Sequence, residues 1–139
     1  MGKIVKIKSE EVQAVLELTN RQYFVGHLAR PQIIDHIEDD RLEIGISDYK
    51  VPTVEPAHKH SLATEYQYVI SGKTEYMDVE TNEVFRFSAG DFYLIPPKTA
   101  YLQKTDYNTA ILFIKVPSIN DKQLVEINKE QEDWSKTKI

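Results

Sequence analysis

The stretch HKHSLATEYQYVISG, residues 58–72, holds two histidines and a glutamate at close intervals. His58 and His60 are two residues apart, which on a β-strand puts both imidazoles on one face with Cα atoms roughly 6–7 Å apart. Glu65 follows a short connection, and we expect its strand to pair antiparallel with the first, which would turn the carboxylate toward the imidazoles. Two imidazoles and one carboxylate suit one divalent transition metal with open coordination positions. On spacing alone, a polar turn with surface histidines is the alternative.

The residues around this stretch have the pattern of short β-strands. Apolar residues alternate with polar or small ones from Leu42 to Ser47, and turn-forming residues separate the apolar runs that follow. These runs cover residues 65–70, 73–79, 84–87, 92–95 and 110–116. No amphipathic pattern of helical length interrupts residues 41–116. The sequence therefore predicts an all-β sandwich or barrel.

The two ends of the chain are less regular. Residues 3–8 alternate and are predicted to form a short edge strand, while residues 9–18 fit a short helix or, nearly as well, a strand. Residues 118–139 are predicted to hold one further strand and a polar tail or short helix, which Trp134 would attach to the body of the domain. We expect a single domain over residues 1–139.

The composition excludes several classes of protein. The chain has 139 residues, of which 41% are hydrophobic and 28% charged, as in soluble globular proteins. It has no cysteine, which excludes disulfides, thiolate metal sites and cysteine nucleophiles. The net charge is −5 without a basic stripe, and no apolar run has the length of a signal peptide or membrane span. We expect a cytoplasmic protein whose partners include neither nucleic acid nor membrane.

Motifs for two other kinds of chemistry are missing from the sequence. There is no GxSxG nucleophile elbow, and the four histidines form no evident Ser-His-Asp arrangement. None of the five glycines lies in a GxGxxG or GxxxxGK phosphate loop. The histidine–glutamate set is therefore the main chemical feature of the chain.

The spacing of this set resembles the first motif of the cupin superfamily. In this chain the pattern reads His58-x-His60-x4-Glu65-x6-Gly72. The resemblance covers residues 42–116 and implies a double-stranded β-helix, the cupin jelly-roll barrel, with the site inside. It also implies a homodimer.

The second cupin motif is matched in part. The family expects two glycines, a proline and a final metal-ligand histidine, and this chain offers Gly90-x5-Pro96-x-Lys98-x2-Tyr101. Tyr101 thus stands where the resemblance expects an imidazole. It could be a phenolate ligand favoured by the cation, or a proton donor or acceptor beside the metal. The third interpretation is a core aromatic in a site that has lost its metal.

Three more polar residues are predicted to bind substrate. By alternation, Gln67 shares a face with Glu65, and Gln103 shares a face with Tyr101. His27 is predicted to lie at the barrel mouth, with a structural histidine as the alternative interpretation. The opposite face of the Glu65 strand would pack outward or into a dimer interface through Tyr66, Tyr68 and Ile70.

These features predict a metal-binding cupin that acts on a small polar molecule. The metal would be Fe, Mn, Ni, Co or Zn, with Glu65 and Tyr101 as catalytic residues and as ligands beside the two histidines. Segments 23–27, 63–66 and 116–118 resemble small cupins of polysaccharide and nucleotide-sugar gene neighbourhoods, which favours a carbohydrate ligand and an isomerase or epimerase. An Fe(II) dioxygenase, a non-catalytic carbohydrate-binding module and a structural protein with a vestigial site are the alternatives, so enzymatic activity stays open.

Overall fold

A computed structural model describes residues 2–139 of the chain. Within these residues, helix α1 spans Ser9–Leu18 and helix α2 spans Lys129–Ser135. The strands are β1 Arg21–Gly26, β2 Ile37–Glu38, β3 Glu43–Tyr49, β4 Thr53–His60, β5 Thr64–Ser71, β6 Lys73–Asp78, β7 Val84–Ser88, β8 Phe92–Ile95, β9 Tyr101–Thr105, β10 Thr109–Val116 and β11 Lys122–Leu124.

The strands form two sheets that face each other. The six-stranded sheet has the order β2-β1-β3-β10-β5-β8, and the five-stranded sheet has the order β11-β4-β9-β6-β7. From β3 to β11 the chain changes sheet at every step except the antiparallel β6–β7 hairpin. This repeated crossing is the winding of a jelly roll, and it confirms the predicted all-β class.

Apolar packing fills the interior beside the cavity described below. Val69, Tyr76, Tyr93 and Tyr101 form one buried cluster between the sheets. The side chain of Tyr101 therefore belongs to the core as well as to the cavity wall. This packing restricts the positions that the Tyr101 hydroxyl can take.

The C-terminal helix covers the outer face of the five-stranded sheet. Leu102 and Met77 form a second buried cluster, against which Trp134 packs. The ammonium of Lys104 lies 4.2 Å from the centre of the Trp134 ring and donates to the Trp134 carbonyl at 3.0 Å. Trp134 attaches the tail to the sheet as predicted.

The N-terminal segment differs from its prediction in part. The helical interpretation of residues 9–18 is confirmed over the strand interpretation. The segment is an α-helix that buries Val15 and Leu16. The edge strand predicted over residues 3–8 is wrong, since this segment has no regular structure. Neither sheet includes this segment, so it has no partner strand, and Ile4 is exposed. Neither helix among residues 2–139 has the length and apolar content needed to cross a membrane.

Candidate metal centre

A cavity of about 510 Å³ opens between the two sheets. This volume is within the range that holds a small organic ligand. The cavity wall contains all seven predicted site residues, namely His27, His58, His60, Glu65, Gln67, Tyr101 and Gln103. Most of its lining side chains are polar or charged, which favours a polar ligand.

Two strands bring the predicted metal set together. His58 and His60 lie at the end of β4, and Glu65 lies near the start of β5. Each offers one ligand atom, and the three atoms lie within 4.8 Å of one another. The relative exposures are 8% for each histidine and 9% for the glutamate, so the interpretation as a polar surface turn is wrong.

Glu65 reaches this set by a route that differs from the expected one. The predicted antiparallel pairing of the two strands is wrong, because β4 and β5 belong to opposite sheets. The connection over residues 61–64 carries the chain across the barrel, and Glu65 then faces His60 from the other side at 3.4 Å. The carboxylate therefore approaches the imidazoles across the cavity.

Both imidazoles are held with the Nε2 atom turned into the cavity, that of His60 toward Glu65 and that of His58 toward the Tyr101 hydroxyl. The Nδ1 atom of His58 lies 2.8 Å from the Pro56 carbonyl, and Nδ1 of His60 lies 2.8 Å from Asp121 Oδ1. Because Nδ1 carries the proton that these acceptors need, Nε2 keeps its lone pair for the cavity. Burial, opposed by the Pro56 hydrogen bond, lowers the pKa of His58 and favours its neutral form.

Asp121 is a site residue that sequence reasoning missed. Its Oδ2 atom accepts hydrogen bonds at 2.9 Å from the backbone amides of Leu62 and Ala63, while Oδ1 faces His60. Burial opposes ionisation, but these hydrogen bonds together lower the pKa of Asp121. A carboxylate behind a metal-binding imidazole orients the ring and raises its basicity.

Tyr101 joins the set through its hydroxyl. The oxygen lies 2.9 Å from His58 Nε2 and 2.9 Å from Glu65 Oε1. Burial first, and then the charge of Glu65, raise the pKa of Tyr101 well above its usual value, so the phenol stays protonated. It has one proton for two acceptors. The lone pairs of His58, His60 and Glu65 therefore converge with a single donor hydrogen among them.

Gln67 lies behind Glu65. Its amide nitrogen donates to Glu65 Oε2 at 3.1 Å, and its carbonyl oxygen accepts from Tyr93 at 2.7 Å and from Tyr76 at 3.0 Å. These bonds fix the carboxylate on the side away from the imidazoles. In this conformation Gln67 positions the Glu65 carboxylate through bonds to protein groups.

The other two predicted binding residues lie apart from the metal set. Gln103 lines the cavity and donates to Thr74 Oγ1 at 3.1 Å. His27 lies at the rim with an exposed side chain, and its ring pairs with Glu38. That hydrogen bond raises the pKa of His27.

The cupin domain family model matches residues 45–113, which include the metal set and Tyr101. The winding of the sheets agrees with that match. This chain belongs to the cupin superfamily.

Several solved structures share the fold of this cupin. Pac13 of Streptomyces, described as a nucleoside dehydratase, is 16% identical with a TM-score of 0.57, over 81% of this chain and 91% of that chain. A double-stranded β-helix protein from Klebsiella pneumoniae is 18% identical with a TM-score of 0.56, over 70% and 85% of the two chains. KdgF from Halomonas is 18% identical with a TM-score of 0.53, over 73% and 83%. No curated protein matches this cupin significantly.

The backbone of this cupin explains both the matches and the departures in its motifs. Gly72 and Gly90 have φ angles of +80° and +94°, a region that glycine adopts at little cost. Lys98 takes the place of the other expected glycine and keeps a left-handed φ of +65°. The turn before Tyr101 therefore retains its shape without the glycine, and strain remains at Lys98.

Proposed function

We propose that this cupin is a metal-dependent enzyme that isomerises or epimerises a small polar molecule of the sugar or nucleotide-sugar class. The observation that carries the proposal is the convergence of three lone-pair donors on one point with a single hydrogen to share. The lone pairs of the two imidazoles and the carboxylate repel one another unless a proton or a cation lies between them. Fe, Mn, Ni, Co or Zn in the divalent state fits His58, His60 and Glu65.

When bound, such a metal supplies Lewis-acid polarisation of a carbonyl or hydroxyl oxygen. Isomerisation then moves a proton from a carbon beside that carbonyl to the neighbouring carbon, whereas epimerisation returns it to the opposite face of the same carbon. The Tyr101 hydroxyl lies 2.9 Å from Glu65 Oε1, so this pair can exchange one proton with each other. We assign Glu65 the role of the base that takes the proton from carbon and Tyr101 the role of the donor that returns a proton to substrate. Glu65 then passes its proton to the Tyr101 oxygen across their hydrogen bond, which restores both groups.

The cavity supports a carbohydrate as the substrate class. A pocket of about 510 Å³ accommodates a sugar, and its polar wall supplies hydrogen-bond partners for hydroxyl groups. Pac13, which has a similar fold, was solved with uridine, a ligand that contains a sugar ring. In a nucleotide-linked sugar the anomeric carbon is blocked, so the carbonyl would have to lie on another ring carbon.

The test is the uptake of deuterium from heavy water. The metal-loaded protein is incubated with free aldoses and ketoses and with nucleotide-linked keto sugars, and NMR follows the carbon-bound hydrogens. We expect exchange at a carbon next to the carbonyl, and a loss of about 100-fold in rate for Tyr101→Phe. Tyr107→Phe, at an exposed tyrosine outside the cavity, is the matched control. An unchanged rate in Tyr101→Phe would contradict the assigned role.

A non-catalytic binding module is the second candidate. It is favoured by the fact that every buried side-chain nitrogen or oxygen among residues 2–139 has a hydrogen-bond partner at contact distance without an ion. A cavity of this kind can bind a small carbohydrate without metal. Ligand binding that survives His58→Ala in metal-free protein would support this candidate over the enzyme.

We also propose that the chain forms a homodimer through the outer face of the six-stranded sheet. Tyr68 and Phe92 are neighbours across β5 and β8, and Ile70 and Leu94 extend the patch. All four side chains are exposed. Contiguous exposed apolar surface of this kind is typical of a protein interface.

A further inference from the structure

We infer that the ion pair of Arg21 and Glu55 is a second binding subsite of the cavity, which takes hydroxyl groups of an uncharged, polyhydroxylated ligand. This inference deepens the proposed function and rests on it for the position of the reacting group at His58, His60 and Glu65. The subsite itself consists of atoms of Arg21 and Glu55, which both line the cavity.

The pair is held rigidly across the barrel. Arg21 belongs to β1 of one sheet and Glu55 to β4 of the other, and Nη2 of the arginine lies 3.0 Å from Oε1 of the glutamate. Tyr49 contacts both partners, at 2.9 Å from Arg21 Nη2 and 2.6 Å from Glu55 Oε1. Ser47 accepts from Arg21 Nε at 3.1 Å. Tyr49 and Ser47 therefore fix the guanidinium and the carboxylate in one orientation.

Each member of the pair has one polar atom to spare. Arg21 bonds Ser47, Tyr49 and Glu55 through Nε and Nη2, with the Tyr23 hydroxyl beside the guanidinium, and Glu55 accepts through Oε1. Arg21 Nη1 and Glu55 Oε2 take part in none of these bonds to Ser47, Tyr49 and each other, and none of the unpartnered side-chain atoms among residues 2–139 is buried. Both residues line the cavity, with 34% and 18% of their side chains exposed. The pair therefore offers a ligand one donor and one acceptor.

This combination selects for a hydroxyl rather than an anion. A sugar hydroxyl both donates and accepts, so neighbouring hydroxyls can bond Nη1 and Oε2 together. A carboxylate or phosphate would gain the bond from Arg21 but would face the negative charge of Glu55. A site built to hydrogen-bond hydroxyls rejects analogues that lack them, because its own polar groups are then left unpaired.

The two subsites lie at a distance that one small ligand can span. Glu55 and His58 are on the same strand and both line the cavity, three residues apart with an irregularity between them. Strand geometry separates their Cα atoms by roughly 7–10 Å. A sugar ring with its substituents, or a short linear polyol, can bond the pair at one end and present its reacting group at the other.

The experiment compares ligands that differ only at C6, where the uronate carries a carboxylate in place of the hydroxymethyl group of the aldose. D-glucose and D-galactose are paired with D-glucuronate and D-galacturonate, and binding to the metal-loaded protein is measured by saturation-transfer NMR and calorimetry. The variant Arg21→Met/Glu55→Met removes the pair while keeping volume and net charge. Arg86→Met, at an arginine whose guanidinium contacts Glu75 outside the cavity, is the matched control. Circular dichroism and metal content report on folding and on the metal set.

We expect at least one neutral aldose to bind about 10-fold more tightly than its uronate, and the double variant to lose about 10-fold in affinity with unchanged metal content. Tighter binding of the uronates would overturn the inference in favour of an anion subsite. Unchanged affinity of the double variant for aldoses would also overturn it. Metal-loaded parent protein that binds no aldose also overturns it, and leaves the metal function standing. Parent protein that takes up no metal but binds aldoses through the pair refutes the proposed function and supports the subsite.

Discussion

The two faces of strand β5 have opposite characters. On the face toward the cavity, Glu65, Gln67 and Val69 are 9%, 7% and 0% exposed. On the outer face, Tyr68 and Ile70 are 43% and 48% exposed. The polar side chains are therefore inside the barrel and the large apolar ones outside, which reverses the usual distribution.

The difference teaches where this fold uses its polar groups. A buried carboxylate and a buried amide cost free energy unless each finds a partner, and here Gln67 bonds Glu65, Tyr76 and Tyr93. Such an arrangement is expected where chemistry takes place. The apolar outer face has no such cost to offset and is suited to association with another surface.

The largest effect is expected from Glu65→Gln on the inner face. The substitution keeps the shape of the side chain but removes the charge that a divalent metal needs, so metal affinity should fall by at least about 100-fold. Titration against a chelating dye measures it. Tyr66→Phe, one residue away on the other face, is the control and should bind metal normally. Affinity within about 3-fold of the parent in Glu65→Gln would mean that the carboxylate is not a ligand.

A smaller effect is expected from the outer face. Phe92→Glu puts a charge into the exposed patch, and we expect the dimer dissociation constant to rise by at least about 10-fold with metal content unchanged. Sedimentation velocity over a range of concentrations measures the change. Val54→Glu, at an exposed apolar residue of the other sheet, is the matched control. A monomeric parent, or a dimer indifferent to Phe92→Glu, would contradict the assignment of this face.

The pH dependence of stability should trace to the inner face. Burial lowers the folded-state pKa of His58 below its unfolded value of about 6.5, so the unfolded chain binds more protons as the pH falls through that value. The contribution of His58 is therefore present above pH about 6.5 and is lost toward the lower, folded-state pKa.

Urea unfolding of the metal-free protein on both sides of this range measures the effect. His58→Gln should lessen the loss of stability on acidification, because the imidazole that takes up a proton on unfolding is then absent. His27, whose pKa is raised by its hydrogen bond with Glu38, works in the opposite direction but is present in the parent and in His58→Gln alike, so its contribution cancels. An identical pH dependence in His58→Gln and the parent would count against a neutral buried His58.

The smallest effect is expected at Lys98. Relief of its left-handed φ gains about 1–2 kcal/mol, while the added freedom of glycine in the unfolded chain costs about 0.5–1 kcal/mol. Lys98→Gly should thus raise the free energy of unfolding by up to about 1 kcal/mol. Lys73→Gly, at the first residue of β6, should lower it. Urea unfolding measures both, and a clear loss of stability in Lys98→Gly would show that the lysine makes contacts that outweigh its strain.

Local features of the sequence predicted much of the site. The two-residue period of a strand was enough to separate Glu65 and Gln67 from Tyr66 and Tyr68, and the observed faces of β5 confirm that separation. The spacing of the motif also brought His58, His60 and Glu65 together correctly. These predictions depend on neighbours in the chain, which is why the sequence alone carried them.

Reasoning from neighbouring residues could not predict contacts between distant parts of the chain. Asp121 lies 61 residues after His60, and Arg21 lies 34 residues before Glu55. The wrong pairing of β4 with β5 has the same origin, because the crossing between sheets is decided by the packing of the whole barrel. Alternation over residues 3–8 likewise predicted a strand where no partner strand lies alongside.

The most direct test of the account is the metal content of the protein. The chain is purified without a histidine tag, incubated with Fe(II), Mn(II), Ni(II) and Zn(II), and measured by elemental mass spectrometry beside the variant His58→Ala/His60→Ala. We predict about one equivalent of metal in the parent and little in the variant, since ligand atoms of both imidazoles and of Glu65 lie within 4.8 Å of one another. No metal in either protein would contradict the account and would mean that Tyr101 closes a site without metal.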